Sequence, residues 1–254
     1  MRQIISLIKY TVRQMVRNRV YYVLVAFCLA IIIVSMLLSV LGGEKPLRIM
    51  LDFGLVSIEF FTMLLVIFSG TTLILEEIES RSIYLMLIRP IPKWYYIAGK
   101  YAGMLIAVYT GMFFMYLVHL AALFLNGWVF TFSYVMAAVS SMMKIAIITS
   151  LAIFFSIFST SSPSSLVFTF FIWITGHFSA EIKYLTGKMT ALPSIIFMKT
   201  IYYLVPNLQY FNWRDFMDAG IPFLKWIPVA FIYGAAYSIF FVVLSSMLFI
   251  KKEV

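Results

Sequence analysis

Long apolar runs separated by short polar breaks dominate this chain. Runs at residues 20–41, 53–75, 98–125, 134–158 and 227–250 each reach or exceed the roughly 20 residues that cross a bilayer as a helix. A shorter run covers residues 164–180. The breaks carry turn chemistry: GGEKPLR at 42–48, Asn126-Gly127-Trp128, and the polar run 159–163, whose Pro163 suits the first turn of the next helix. The pattern predicts an all-α polytopic membrane protein with six transmembrane helices. The ten-residue alternating segments of a membrane β-barrel are absent.

Residues 1–18 have a different period. Arg2, Ser6, Lys9, Arg13 and Arg17 recur every three or four positions, while Ile4, Ile5, Ile8, Val12, Met15 and Val16 fill the other face. Such a helix lies in the membrane interface rather than across it. A signal peptide is the competing reading. The run at 20–41 is too long for a signal core and lacks a clear small-residue cleavage site.

Two stretches interrupt the alternation of span and turn. Residues 76–93 open with Glu76, Glu77 and Glu79, continue through the apolar cluster Ile83, Leu85, Met86, Leu87 and Ile88, and stop at Pro90 and Pro92 before Lys93. This reads as a short amphipathic helix ended sharply by proline. It is suited either to dock in a groove on a partner or to lie on the membrane surface. Residues 181–225 form the longest non-spanning stretch, an outer loop with an apolar-aromatic helix at 194–204 and a turn at 206–215. Tyr202, Tyr203, Tyr210, Phe211, Trp213 and Trp226 are expected to form an interfacial aromatic belt.

Composition narrows the picture. The chain is 63% hydrophobic and 11% charged, well below the ~25% charged residues of a soluble domain. The net charge of +9 belongs to membrane edges and anionic lipid, not to nucleic acid. The lone Cys28 lies inside an apolar run, so no intramolecular disulfide forms and Cys28 reads as a small buried hydrophobe. No GxxxxGK[ST] phosphate loop occurs, so nucleotide chemistry would belong to another chain. With the N-terminus in the cytoplasm, eleven Lys and Arg fall on the cytoplasmic side: Arg2, Lys9, Arg13, Arg17, Arg19, Arg81, Arg89, Lys93, Lys100, Lys251 and Lys252. Both termini are therefore expected in the cytoplasm of a cell-membrane protein.

Charges inside spans are costly and face a cavity or a partner. Glu59, His119 and Lys144 all fall in the outer halves of their spans, and an intramembrane polar cluster is expected there. Its role is open between fixing the packing and meeting a lipid phosphate or carboxylate. A metal site from Glu59, His119 and His177 is disfavoured, because the ligands are scattered over three spans without helical pairing. An ion pair between Lys100 and Glu76 or Glu77 is expected at the cytoplasmic edge. Gly99, Gly103, Ala107 and Gly111 recur every four residues and point to close helix packing.

The order of an interfacial helix, two spans, acidic residues, a short helix, proline, a basic-aromatic pair and Gly-Lys resembles the membrane subunits of type-2 ABC exporters. The matching residues are Glu77, Glu79, Ser80, Pro90, Lys93, Trp94, Gly99 and Lys100, with Arg81-Ser82 in place of the family's Gly-Thr. The segment PNLQYFN at 206–212 is similar to one in the multicopper-enzyme-maturation-type permeases. The resemblance implies one transmembrane domain over residues 1–254, with an elbow helix at 1–18 and a coupling helix at 76–93. It implies a dimer with a second permease, identical or homologous, and a cytoplasmic ABC ATPase subunit on each. ATP and magnesium would sit on that ATPase, leaving this chain without cofactor, metal or catalytic residue. Glu77, Glu79, Ile83, Leu85, Met86, Leu87, Pro90 and Lys93 would contact the ATPase. The competing reading is a channel or ion-coupled carrier. An intramembrane enzyme lacks its catalytic cluster, such as an Asp pair or HExxH.

Overall fold

A computed structural model of the chain describes residues 2–41, 45–80, 92–213 and 227–251. Those residues are almost entirely helical, and no strand occurs among them. In order they form α1 (Arg2–Arg17), α2 (Arg19–Leu41), α3 (Pro46–Glu79), α4 (Lys93–Leu125), α5 (Phe132–Phe158), α6 (Ser162–His177), α7 (Ser179–Lys188), α8 (Leu192–Leu204), a 3-10 turn (Leu208–Phe211) and α9 (Ile227–Lys251). Helices α2, α3, α4, α5 and α9 are long and apolar enough to cross a membrane. Helices α6 and α7 together form a pair bent by 67° that makes a broken sixth span or a re-entrant loop. The protein is a multi-pass helical membrane protein. The expected contact residues Ile83, Leu85, Met86, Leu87 and Pro90 lie outside the described residues, as does Trp226.

Helix α5 is the centre of the bundle. It packs against α3, α6 and α9, while α3 also carries α2 and α4. In the most apolar window of α5, 72% of residues are buried, against 22% for α2 and 11% for α9. Those two helices are therefore peripheral and turn most of their surface to lipid. Helix α8 buries no residue at all.

Local chemistry sets the helix ends. Pro46 stands in the first turn of α3, where its missing N–H is no loss. Arg48 and Asp52 then pair at 2.8 Å one turn apart. Together they extend α3 well before residue 53, so residues 46–48 of the expected loop at 42–48 are helix. Asn18 separates α1 from α2: its Oδ1 accepts the Val20 N–H at 3.0 Å and its carbonyl accepts the Tyr21 N–H at 3.1 Å. The fifth span ends at His177 rather than at 180, and residues expected as loop continue as α7.

The small-residue stripe on α4 accommodates α1 at Gly99 and Gly103 and the span α2 at Gly111. A Cβ on Gly99 would lie 2.6 Å from Leu7, and one on Gly111 would lie 2.7 Å from the Tyr21 hydroxyl, which donates to the Ala107 carbonyl at 3.3 Å. At Gly103 a Cβ would lie 2.6 Å from the Thr11 Cβ and 3.1 Å from the Ile8 carbonyl oxygen. Backbone cannot yield as a side-chain tip does. Gly103→Ala is expected to lower stability by roughly 1–3 kcal/mol. Gly187→Ala, where an added Cβ meets nothing within 4 Å, should be neutral or slightly stabilising. Thermal unfolding in detergent compares the two.

Candidate functional site: two buried polar nodes

Lys144 comes from the middle of α5, and its side chain is fully buried. Its Nζ donates to Glu59 Oε1 on α3 at 2.6 Å and to Asn212 Oδ1, just past the 3-10 turn, at 2.6 Å. It lies 3.3 Å from His177 Nε2 at the end of α6. Ser141, one turn before Lys144, donates to the other Glu59 oxygen at 3.2 Å. His177 Nδ1 is 3.1 Å from the Trp173 carbonyl. A carbonyl only accepts, so Nδ1 carries the proton and a neutral ring offers its Nε2 lone pair to Lys144. A charged ring would instead donate from Nε2 to Glu59 Oε1 at 3.3 Å. Three acceptors thus converge on one ammonium, and the group joins α3, α5, α6 and the segment 206–212.

That segment is built to close the end of α6. Gln209 Nε2 donates to the His177 carbonyl at 2.7 Å, satisfying a helix-end acceptor that would otherwise be stranded in the membrane. The same amide reaches Glu181 Oε2 at 3.0 Å. Asn207 Oδ1 caps the 3-10 turn from the Gln209 N–H at 3.0 Å, and the Asn207 N–H donates to the Tyr233 hydroxyl at 2.8 Å. The close fit requires glycine at 176, where a Cβ would stand 2.7 Å from the Pro206 carbonyl oxygen.

His119 does not join this group, which corrects the expected cluster. Its Nε2 is 3.3 Å from the Met50 carbonyl and its Nδ1 is 3.1 Å from the Tyr134 hydroxyl. A Cβ on Gly54 would collide with its ring, so His119 is wedged between α3 and α5 and buried. His177 stands at Lys144 instead.

A second node lies at the other end of α3. Glu77 Oε1 accepts from Lys100 Nζ at 2.5 Å, and Tyr96 donates to Glu77 Oε2. Lys100 also donates to Gln14 Oε1 of α1 at 3.1 Å and lies 5.2 Å from the centre of the Tyr10 ring. Partial burial, with the Glu77 carboxylate nearby, raises the Tyr10 hydroxyl pKa above its usual value. Glu77 and Lys100 are both buried, whereas Glu76 is exposed. Glu77 therefore faces inward, tying α1, α3 and α4 together. Lys93 donates to the Ile250 carbonyl at 3.4 Å, and Tyr96 stacks on Phe249 at 5.3 Å, which fastens the end of α9 to the start of α4. Glu79 is the last residue of α3.

No family model and no curated protein matches this chain. Its site is read from its own geometry. Among the described residues, no group of three or more His, Cys, Asp or Glu is placed to hold a metal ion. In the first node Lys144 occupies the point where Glu59 and His177 converge. Glu59 and Glu77 are eighteen residues apart on one unbroken helix, five turns and about 27 Å. Helix α3 thus carries one carboxylate into each node and works as a rod between them.

Proposed function

We propose that the chain is the membrane-spanning permease subunit of an ATP-driven exporter of the type-2 ABC class. In this reading six spans place both termini in the cytoplasm of a cell membrane, α1 is the elbow helix and residues 76–93 are the coupling helix. A second permease and two cytoplasmic ATPase subunits complete the transporter, with ATP and magnesium on those subunits. The substrate class that suits the apolar, aromatic spans is an amphiphile, lipid-like or a drug or peptide.

The observation that carries this reading is the Glu77–Lys100 node. It grips both ends of the 76–93 stretch, where α3 ends and α4 begins, and adds α1 to the same rigid group. A push on that stretch by a soluble motor would move α1, α3 and α4 together. The rod α3 would carry the displacement to Glu59 and Lys144. Expression in the native host, mild-detergent purification, mass spectrometry and an ATPase assay test this. A nucleotide-binding subunit should copurify and hydrolyse ATP, and a Leu85→Asp/Leu87→Asp variant should lose both. Recovery of the chain alone, folded and without ATPase activity, would overturn the reading. The first node, with its acid, base and histidine inside the membrane, favours the second reading of a channel or ion-coupled carrier. Ion flux through the purified chain, without any ATPase, would support that alternative.

A further inference from the structure

The described residues leave a large apolar groove between α5, α6 and α9. It has a volume of about 760 Å³ and is walled by Phe154, Phe158, Ile172, Tyr237, Phe240 and Leu244. Its rim is open: Phe158 and Phe240 are each 59% exposed. Apolar cavities do not hold water, and a groove facing the bilayer is filled by hydrocarbon. The groove does not end blindly. Tyr203 and Leu204 at the end of α8 close it on one side and also line a second hollow with Ile196, Lys199 and Thr200. Lys199 stands about one turn before them on the same helix and is exposed.

This continuity is the shape of an amphiphile. Tyr237 lies ten residues into α9, about 15 Å along its axis, at a depth suited to an acyl chain. Lys199 sits one turn before Tyr203 on α8, and its long stem can carry the ammonium to a headgroup. An apolar slot that shares the wall of Tyr203 and Leu204 with a hollow holding Lys199 matches an anionic headgroup with a chain attached. The wide, flat face of a second protein helix, 10–12 Å across, would not follow the slot to Lys199.

We propose that this groove binds one anionic phospholipid, with an acyl chain between α5, α6 and α9 and its phosphate at Lys199. The lipid is a bound component of the fold that keeps α8 seated against α9, and the inference requires only that the protein spans a bilayer.

Vesicles of equal parts phosphatidylglycerol and phosphatidylcholine with identical acyl chains provide the test. The protein is reconstituted, re-extracted in mild detergent and weighed intact by native mass spectrometry. One phospholipid per chain should remain, with phosphatidylglycerol about five-fold enriched, the ratio expected of one lysine near the headgroup. Lys199→Gln should bring the ratio to one while a lipid is still retained. Ala236→Trp, which fills the groove, should remove the lipid, and Ala236→Leu should weaken retention should the larger change prevent folding. Equal retention of the two lipids by the native sequence, an unchanged ratio in Lys199→Gln, or a dimer mass without lipid would each overturn the proposal.

Discussion

Lys144→Met is expected to lower stability by roughly 3–5 kcal/mol, because it strands a carboxylate inside the membrane. Methionine matches the lysine stem in volume, so packing is largely kept. Glu59, whose side chain is 15% exposed, would retain Ser141 and His177 but lose its charge partner, and Asn212 would lose its donor. Glu59→Gln should also destabilise, because it takes the carboxylate away from the fully buried ammonium. The double variant Glu59→Gln/Lys144→Met removes both charges and should recover much of the loss. The coupling between the two sites is expected at roughly 2 kcal/mol or more, within the range for residues sharing one network. Equilibrium unfolding of the four proteins in micelles measures it. If the double variant were as damaged as the sum of the singles, Glu59 and Lys144 would not act as a pair. Hydrogen exchange adds a positional readout, since residues 206–212 should lose protection in Lys144→Met.

The second large effect is expected at Lys100. Lys100→Met should also lower stability by roughly 3–5 kcal/mol, as it removes the buried ammonium that donates to Glu77 Oε1. The signature differs from that of Lys144. Gln14 on α1 loses its partner, so exchange protection should fall along α1 while residues 206–212 stay protected. Gln14→Ala breaks the same link without stranding a charge and should lower stability by only about 0.5–1.5 kcal/mol. If α1 kept its protection in Lys100→Met, the glycine stripe of α4 alone would hold it in place.

Hydropathy made the long helices legible in advance, because an 18-residue apolar run has few other folds in a membrane. Depth along a span also brought out Glu59 and Lys144, since both sit a few turns from the same side. Depth is only one coordinate. It says nothing about direction around the helix axis, which is why His119, at a similar height, turns to Met50 and Tyr134 instead. The sequence offered His177 only as a disfavoured metal ligand and not as a neighbour of Lys144, because the apolar run continues to residue 180, while the helix breaks at Phe178 without a proline. The signal was present in Gly176 and in the amide-rich PNLQYFN. Their meaning depends on a contact between segments thirty residues apart, which no local pattern encodes. Glu77 shows the opposite difficulty: three carboxylates within four residues look alike in sequence, and only helix phase separates the buried Glu77 from the exposed Glu76.

The broken span has a consequence for how the chain is made. Helix α6 has 16 residues, about 24 Å, which is short of the roughly 30 Å hydrocarbon core. Its last carbonyl is satisfied by Gln209, which leaves the ribosome 32 residues after His177. Until residues 206–212 have been synthesised, the His177 carbonyl lacks the donor that Gln209 supplies. The spans through α5 can insert and pack in order of synthesis, but the α6–α8 region closes only after its own distal segment arrives. The contact between Asn212 and Lys144 therefore forms only once residues 206–212 have been made, with α9 still to come and to pack against α4 and α5.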